Sequence, residues 1–349
     1  MIYANIYTDG HSKNSLFGFH DPIHRHNPTL TPRILRETFL AQGVEVNTPD
    51  LNEKRQVSFD LHLEARPIPQ GLSKKYLIAL ENPYINPLNC NRELISQFDK
   101  VFSWDVRVHD MKNVIPILYP HPMIADEPSP SETRNIFSCL INANKAYKDV
   151  SPGDLYQERL KTIRWYEENA PDKFELYGLG WDKATPAFTF HGRLLRSVSQ
   201  AKKKMLGIAP FPSYKGEIPF KAEILKKAVF SYCYENSAGL DNYITEKIFD
   251  SLISGCIPIY WGASNIKQHI PENCFVDRTL FKSTAEVHEY ISNLTTAEHA
   301  AYRKNISRFL KTEKASLFSA TSFSNTIVKE ICSDMGIPFQ PHHSTPDSQ

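Results

Sequence analysis

Three side chains that could do chemistry stand close together in NYITEKIFDSLISGCIPIYWG, residues 242–262: Tyr243, Glu246 and Lys247. Apolar residues at helical spacing follow them, and Gly255 ends the pattern. A helix start exposes unpaired N–H groups and the positive end of a dipole, so a lysine there is unfavourable unless an anion binds nearby. Two interpretations remain open. The pair is solvated on a capped helix, or Lys247 binds a phosphate and Glu246 accepts hydrogen bonds from hydroxyls.

The charge of the chain is balanced. The 349 residues include 40 Lys and Arg and 39 Asp and Glu. This near-equality argues against a surface that binds nucleic acid or another polyanion. No apolar run is long enough to span a membrane. The N-terminal sequence MIYANIYTDGHSKN lacks the basic and apolar regions of a signal peptide. We therefore expect a cytoplasmic protein without a transmembrane segment, and any anion that it binds should be small.

Neither the cysteines nor the histidines form a recognisable metal or disulfide pattern. The six cysteines lie far apart without a C-x-x-C pair, so we expect buried free thiols. The 13 histidines include no H-E-x-x-H spacing, and the HRH run at residues 24–26 is typical of a loop. No metal-ligating residues are predicted.

Strand-like runs alternate with helical patterns in both halves of the chain, as is typical of α/β domains with parallel sheets. The first half predicts a helix at 31–42 and strands at 2–7, 44–46, 75–80, 100–104 and 114–118. The second half predicts strands at 136–141, 173–177 and 257–261, and helices at 154–169, 286–294 and 297–310. Residues 202–206 and 229–234 fit strands or helix ends.

The best linker candidate is a segment with four prolines between residues 119 and 133. We therefore predict an N-terminal domain at 1–120, a linker at 121–133 and a C-terminal domain at 134–325, followed by a C-terminal segment and tail at 326–349. Clefts between domains are preferred ligand sites.

The flanks of the opening segment carry a specific signature. YENSAGLDNYITEK at 234–247, followed by GCIPIYWG at 255–262, closely resembles the signature of glycosyltransferase family 10, the α1,3/1,4-fucosyltransferases. Its elements are an aromatic-E-N-S run, Y-[IV]-T-E-K and G-x-[IV]-P-[IV]-x-x-G. The resemblance covers about residues 136–290 well and the N-terminal half more loosely. It implies the GT-B fold, with two Rossmann-like domains facing across a cleft, of which the N-terminal one binds the acceptor and carries the base.

The resemblance implies transfer of L-fucose from GDP-fucose to a sugar hydroxyl, with inversion at the anomeric carbon. The chain has no D-x-D motif, so cationic side chains and backbone N–H groups should stabilise the departing diphosphate without a metal or another cofactor. Two alternatives stay open. The donor could be another GDP-6-deoxyhexose such as GDP-colitose, or the protein could bind a sugar nucleotide without catalysis.

The expected partners are the GDP-sugar and a glycan acceptor. The chain looks bacterial in style, because it lacks the stem and disulfides of the membrane-anchored animal members. The acceptor would then be an oligosaccharide or lipid-linked glycan, fucosylated α1,3 or α1,4 on a GlcNAc- or Glc-type residue of a surface polysaccharide or its precursor. The enzyme would work in the cytoplasm or peripherally at the cytoplasmic face of the inner membrane.

The catalytic base is expected in KKYLIALENPYINP. Glu81 follows an apolar strand there, at the C-terminal end where open α/β sheets place their sites. The segment matches the family's strand followed by Glu-Asn, which carries the proposed catalytic carboxylate. Asp105 in FSWD also follows a strand, but we expect it to cap a turn.

The donor site is expected around the signature. The resemblance assigns the diphosphate to Lys247 and Arg159, with Arg164 in the same helix as the alternative, and arginine suits bidentate contact with phosphate. Nucleotide and fucose hydroxyls are assigned to Glu246, in a pocket that Asn236 and Tyr243 line, while Glu235 orients the loop. The further donor-site candidates are Asn142, Lys215, Ser237 and Thr245.

Overall fold

The computed structural model describes residues 1–18, 28–67, 73–123, 133–148, 151, 153–188, 190–207 and 209–342. The chain divides into unit 1, comprising Met1–Ile124, Asp241–Glu246 and Glu313–Gln349, and unit 2, comprising Ala125–Leu240 and Lys247–Thr312. It therefore returns to unit 1 within the signature and again near its end, which the predicted boundaries do not include. Most of the predicted linker, at 124–132, and the HRH run lie outside the described residues.

The helices and strands are the elements that position the site. The described helices are α1 Leu30–Ala41, α2 Arg92–Ile95, α3 Leu155–Asn169, α4 Phe190–Leu206, α5 Lys221–Leu225, α6 Glu246–Ile253, α7 Ile266–His269, α8 Thr284–Asn293, α9 Thr296–Leu310, α10 Glu313–Ser316 and α11 Ala320–Met335. The described strands are β1 Ile2–Tyr7, β2 Val44–Asn47, β3 Val57–Leu63, β4 Lys74–Ala79, β5 Lys100–Ser103, β6 Val114–Pro116, β7 Ile136–Ile141, β8 Phe174–Tyr177, β9 Tyr214–Gly216, β10 Ala228–Tyr234, β11 Ile257–Trp261 and β12 Val276–Asp277.

The sheet of unit 1 is parallel, with the order β2-β1-β3-β4-β5-β6 among the described residues. Successive strands are added on one side of β1 and then, from β3 onward, on its other side, so the strand order reverses between β1 and β3. Open α/β sheets bind ligands at the carboxyl ends of strands near such a point. On one face, helices α1 and α11 cover a core that includes Phe39, Phe59 and Ile327. This packing is why the C-terminal segment belongs to unit 1.

Strand β3 is absent from the strands predicted above. Central strands of parallel sheets usually read as continuous apolar runs. In VSFDLHL, buried Phe59 and Leu61 instead alternate with Asp60 and His62. The polar face of β3 meets a polar face of β1, where Asn5 donates to Asp60 at 2.9 Å. The alternation therefore reflects a polar layer on one side of this sheet.

Unit 2 has the strand order of a dinucleotide-binding Rossmann domain. Its described strands run β9-β8-β7-β10-β11-β12, all parallel, which corresponds to the order 3-2-1-4-5-6. The parallel α/β prediction is confirmed. Of the two ambiguous segments, residues 229–234 lie in strand β10, and residues 202–206 are the end of helix α4.

The apolar face of the opening helix is buried as its spacing predicts. Ile248, Phe249 and Leu252 in α6 are inaccessible to solvent, and so are Ile257 and Ile259 in β11. Burial of this kind contributes roughly 1.5–3 kcal/mol per large apolar side chain, so α6 and β11 form a rigid support for the residues at their ends.

The six cysteines are free thiols, as predicted, and all but the half-buried Cys90 are buried. Burial raises the pKa of the Cys139 and Cys233 thiols to about 12, which keeps them protonated and poorly nucleophilic. In the part of the chain that is described, no helix is both long and apolar enough to cross a bilayer.

Candidate active site

Most donor-site candidates of unit 2 lie at the point where the strand order of its sheet reverses. Strands β7 and β10 are neighbours at this point, and Asn142 follows β7 while Glu235 and Asn236 follow β10. The carboxyl ends of such strands form the crevice in which open α/β sheets bind nucleotides. Asn142 and Lys247 also line one small pocket, together with Lys221, Asp250 and Ser251. The Rossmann topology therefore groups residues that lie more than a hundred positions apart.

Lys247 is held by a buried carboxylate. Its Nζ lies 3.2 Å from Oε2 of Glu235, which is inaccessible to solvent. The Glu235 backbone N–H donates to the Trp261 carbonyl at 2.9 Å. Strand β11 therefore holds Glu235 in place, and Glu235 in turn holds Lys247. The pairing fixes the position of the ammonium group, whose N–H groups are hydrogen-bond donors only.

The last residue of the signature is a glycine for steric reasons. A Cβ added to Gly262 would lie 2.4 Å from both Cγ of Glu235 and the Tyr260 hydroxyl oxygen. The Tyr260 hydroxyl cannot retreat easily, because it accepts a hydrogen bond from the Ala263 N–H at 3.0 Å. Any larger residue must therefore displace the Glu235 side chain, and with it the ammonium group of Lys247.

We expect Gly262→Ala to destabilise the protein by about 1–3 kcal/mol, the usual effect of overpacking, and to weaken the GDP binding that the family resemblance implies. The measurements are chemical denaturation and calorimetric titration with GDP. Gly43→Ala is the control, because Gly43 has open space around it and only its positive φ of 75° opposes the change. GDP affinity that is unchanged in Gly262→Ala would contradict the link between this glycine and Lys247.

Arg159 holds the loop that carries Glu235 and Asn236. From helix α3, its guanidinium donates to the carbonyls of Tyr234 and Glu235 at 2.6 and 2.8 Å and to Oδ1 of Asn236 at 3.1 Å. It also stacks over the Tyr156 ring at 4.7 Å. The buried guanidinium thus ties α3 to the signature, in contact with one of the predicted donor-binding residues.

Arg164 points elsewhere. Five residues along a helix turn the side chain by about 140°, so Arg159 and Arg164 lie on different faces of α3. Arg164 is half exposed, pairs with Glu167 at 2.6 Å and donates to the Pro210 carbonyl at 2.8 Å. Of the two alternatives, the structure brings only Arg159 to the signature.

The remaining unit 2 candidates differ in their surroundings. Ser237 is buried, and its hydroxyl shares a 2.8 Å hydrogen bond with the Tyr147 hydroxyl. Lys215 is exposed on strand β9 at the sheet edge. Lys221 was not predicted, although it ends the run YKGEIPFK; it pairs with buried Asp250 at 2.8 Å and lines the same pocket as Lys247. A lysine at the start of a short helix such as α5 gives no signal in the sequence that separates it from a surface residue.

In unit 1, a signature tyrosine contacts the predicted base. Glu81 follows strand β4, and the hydroxyl of Tyr243 donates to its Oε1 over a long 3.5 Å. The same hydroxyl accepts a hydrogen bond from Nδ2 of Asn82 at 3.3 Å. Tyr243 is buried, and its ring packs against Trp104 with 4.7 Å between ring centroids. The return of residues 241–246 to unit 1 therefore brings two separately predicted residues together.

Glu64 is a functional candidate that the sequence did not reveal. It follows β3, and its carboxylate accepts the backbone N–H groups of Leu80 and Glu81 at 3.1–3.2 Å and a side-chain N–H of Asn89. Asn89 in turn donates to the Glu81 carbonyl at 2.8 Å. Burial raises the pKa of Glu64, and its backbone has an unusual φ of 68°. These contacts fix the backbone on which Glu81 is mounted.

For the sugar transfer that the family resemblance implies, we expect Glu64→Gln to lower kcat by about 10- to 100-fold with little change in the KM for the donor, because small misplacements of a reacting group are costly. The N–H group of the new amide would also face the N–H groups of Leu80, Glu81 and Asn89, which now donate hydrogen bonds to the carboxylate. Steady-state kinetics separate the two constants. Glu45→Gln is the control, since Glu45 pairs with Arg55 at 3.0 Å elsewhere in unit 1. A raised donor KM with unchanged kcat would contradict this role.

The other acids near the signature have distinct surroundings. Asp105 caps the turn after β5 by accepting the Arg107 N–H, so the expectation of a capping role is confirmed. Glu246 begins α6 and is half buried, while Thr245 before it is buried. Within the described ranges, no group of three or more His, Cys, Asp or Glu side chains is arranged to hold a metal ion.

Comparisons with known proteins find a match to a family model in the region of the signature. Residues 212–335 match the model of the glycosyltransferase family 10 (fucosyltransferase) C-terminal domain. An α-(1,3)-fucosyltransferase of Helicobacter pylori is 39% identical over 80 residues, which are 23% of this chain and 16% of that enzyme. The matched segment is thus a small part of the relative's length.

Solved structures resemble the chain over nearly all of its length. The crystal structure of an α1,3-fucosyltransferase superimposes with a TM-score of 0.50 at 13% identity, covering 94% of this chain and 90% of the other. Anabaena Alr3699/HepE, solved with UDP and glucose, superimposes with a TM-score of 0.56 at 11% identity, covering 95% and 100%. At such identities the likeness shows the fold alone, and that fold is GT-B. The chain thus has the GT-B fold, and its residues 212–335 are similar to the C-terminal domain of glycosyltransferase family 10, the fucosyltransferases.

Proposed function

We propose that this protein transfers L-fucose from GDP-fucose to a hydroxyl group of a glycan acceptor, with inversion at the anomeric carbon. The observation that carries the proposal is the contact between Glu81 and Tyr243. One residue was identified from a strand end and the other from the family signature, and they share a hydrogen bond in unit 1. The family 10 domain at residues 212–335 supports fucose as the sugar.

Glu81 is the proposed general base. The acceptor oxygen forms a bond to the anomeric carbon while the bond from that carbon to the diphosphate breaks, and its electron pair leaves with GDP. The proton of the acceptor hydroxyl goes to the Glu81 carboxylate. A positioned base of this kind contributes about 10²–10⁴-fold to the rate. The Tyr243 hydroxyl and the Asn82 backbone N–H both donate to the Glu81 carboxylate and hold it in orientation. The Asn82 side-chain N–H donates to the Tyr243 hydroxyl and positions it in turn.

The departing diphosphate is assigned to Lys247 and Arg159. Fixed cations stabilise charge that develops on a leaving group, because they need no reorganisation during the reaction. Glu235 holds the ammonium group of Lys247, and Arg159 lies against Asn236 in the same loop. Glu246 and Asn236 are assigned to hydroxyls of the nucleotide or of fucose.

We expect the reaction to proceed without a divalent metal. The support for this is the pair of fixed cations and the lack of a D-x-D motif in the sequence. Treatment with EDTA should leave kcat unchanged, while a metal-dependent glycosyltransferase treated alongside loses its activity. Loss of activity on EDTA treatment, restored by adding Mg²⁺ or Mn²⁺, would contradict the expectation.

The donor is tested by comparing GDP-sugars. Release of GDP in the presence of a working acceptor should be fastest with GDP-fucose, compared with GDP-colitose and GDP-mannose. A preference for GDP-colitose would keep the mechanism and change the donor. Tight GDP-sugar binding without turnover, across a broad set of acceptors, would favour a sugar-nucleotide-binding protein instead. We propose further that the acceptor is an oligosaccharide or lipid-linked glycan in the cytoplasm.

A further inference from the structure

Helix α4 in unit 2 has a one-sided charge. Its sequence, FHGRLLRSVSQAKKKML at Phe190–Leu206, contains five Lys and Arg and no Asp or Glu. The chain as a whole has almost equal numbers of basic and acidic residues. The basic residues are therefore concentrated locally, and none of the usual i,i+4 pairs with acids can neutralise them within the helix.

The same helix exposes an apolar face. Leu194, Val198 and Met205 are 54%, 45% and 75% exposed. Their spacings of four and seven residues place them on one face of the helix. Amphipathic helices of globular proteins normally bury this face in the core, as α6 does with Ile248 and Phe249. In unit 2 of this structure, the apolar face of α4 is instead directed to solvent.

Exposed apolar residues continue at both ends of this region. Leu206 at the end of α4 is well exposed, as are Leu179 and Phe188 before its start. Scattered exposed apolar residues are normal on protein surfaces, but a row on one helix indicates a binding surface. We call α4, with its exposed apolar row and its basic residues, the basic amphipathic helix.

We infer that the basic amphipathic helix binds an anionic lipid surface. Helices with a basic polar face and an apolar face lie in the plane of a membrane, with the apolar side chains among the acyl chains and the cations on the lipid headgroups. Both parts of this description are met: Leu194, Val198 and Met205 form an exposed apolar row, and exposed Arg193 and Lys204 lie beside it on the helix.

The charge argues against the other occupants of such a face. A second copy of the chain that used the same face would bring like charges such as exposed Arg193 and Lys204 against each other, which costs energy. Nucleic acid would use the cations but would leave the row of apolar side chains in water. A lipid surface uses both features. The inference does not depend on the proposed catalytic activity, and it gives the expected peripheral location a structural basis.

The test is flotation of the full-length protein with lipid vesicles. We expect binding to vesicles of phosphatidylcholine and phosphatidylglycerol, weak binding to phosphatidylcholine alone, and release as NaCl is raised. The apolar variant Leu194→Gln/Val198→Gln/Met205→Gln and the basic variant Arg193→Gln/Arg196→Gln/Lys204→Gln should each lower the partition coefficient about tenfold or more. Thermal melting should show that both variants remain folded, because the side chains are exposed or partly exposed.

Two matched control variants test whether vesicle binding is specific to α4. Leu280→Gln removes an apolar side chain that is 71% exposed in unit 2 but outside α4. Lys304→Gln/Arg308→Gln/Lys311→Gln removes three exposed charges at α9 and matches the basic variant in net charge. Both should bind vesicles as the unmodified protein does. Equal binding by all variants, or no binding to anionic vesicles, would overturn the inference. So would a dimer that the apolar variant abolishes.

Discussion

Replacing Glu81 with glutamine should lower kcat for fucose transfer by about 10²–10⁴-fold, the usual contribution of a general base. The amide has the size of the carboxylate but cannot take a proton. Binding of GDP should stay close to that of the unmodified protein, since the change is made in unit 1 and the proposed phosphate ligands lie in unit 2. Steady-state kinetics with a working acceptor, combined with calorimetric titration of GDP, measure both quantities.

Asp105→Asn is the matched control for this experiment. Asp105 is also an acid that directly follows a strand of the same sheet, but its carboxylate is occupied by Arg107 at 2.6 Å. Losing that contact and its turn cap should cost about 0.5–2 kcal/mol of stability without removing the base. If Glu81→Gln retained its kcat, Glu81 would not be the base, and the acid next to consider would be Glu64.

Replacing Lys247 with alanine should both destabilise the protein and weaken GDP binding. Removing one partner of a buried ion pair leaves the other charge unpaired, which typically costs about 3–5 kcal/mol, and Glu235 is buried here. Loss of a fixed cation at the diphosphate should also reduce kcat by about 10²–10³-fold. Urea denaturation gives the first effect, and titration with GDP and kinetics give the second.

A double-mutant cycle with Glu235→Gln separates the two effects. Once Glu235 is neutral, removing Lys247 no longer strands a buried charge, so most of the stability loss should disappear. The loss of GDP affinity should persist, because it comes from the missing phosphate contact. If the effect of Lys247 on GDP binding vanished in the Glu235→Gln background, Lys247 would act only by holding Glu235, and its role at the diphosphate would be wrong.

The sequence predicted the longer apolar strands of both units and the buried face of α6, which its spacing shows. It missed the short strands β9 and β12 of unit 2 and left β10 open between a strand and a helix end. In unit 1, β3 alternates because its polar side meets Asn5 of β1. Because β3 was not predicted, Glu64 at its end was not recognised as a candidate. Its contacts with Glu81 and Asn89 form only when β3 and β4 pair in the folded sheet.

Contacts between distant residues account for the other differences. That residues 241–246 and helix α11 belong to unit 1 follows from packing such as that of Tyr243 against Trp104, which no local pattern encodes. The choice between Arg159 and Arg164 needed the orientation of α3 against the loop after β10. The family resemblance identified candidate residues such as Arg159 and Glu81, and the structure shows which side chains and carbonyl groups they contact.

The most direct test of the proposed activity is an acceptor screen with GDP-fucose on a glycan array, read out by mass spectrometry and by NMR of the product. We predict that a GlcNAc- or Glc-containing glycan gains one deoxyhexose, with the anomeric configuration inverted relative to the donor, and that Glu81→Gln abolishes the gain. Transfer with retention of configuration would contradict the mechanism. No transfer to any glycan, by a protein that binds GDP-fucose, would contradict the proposed function itself.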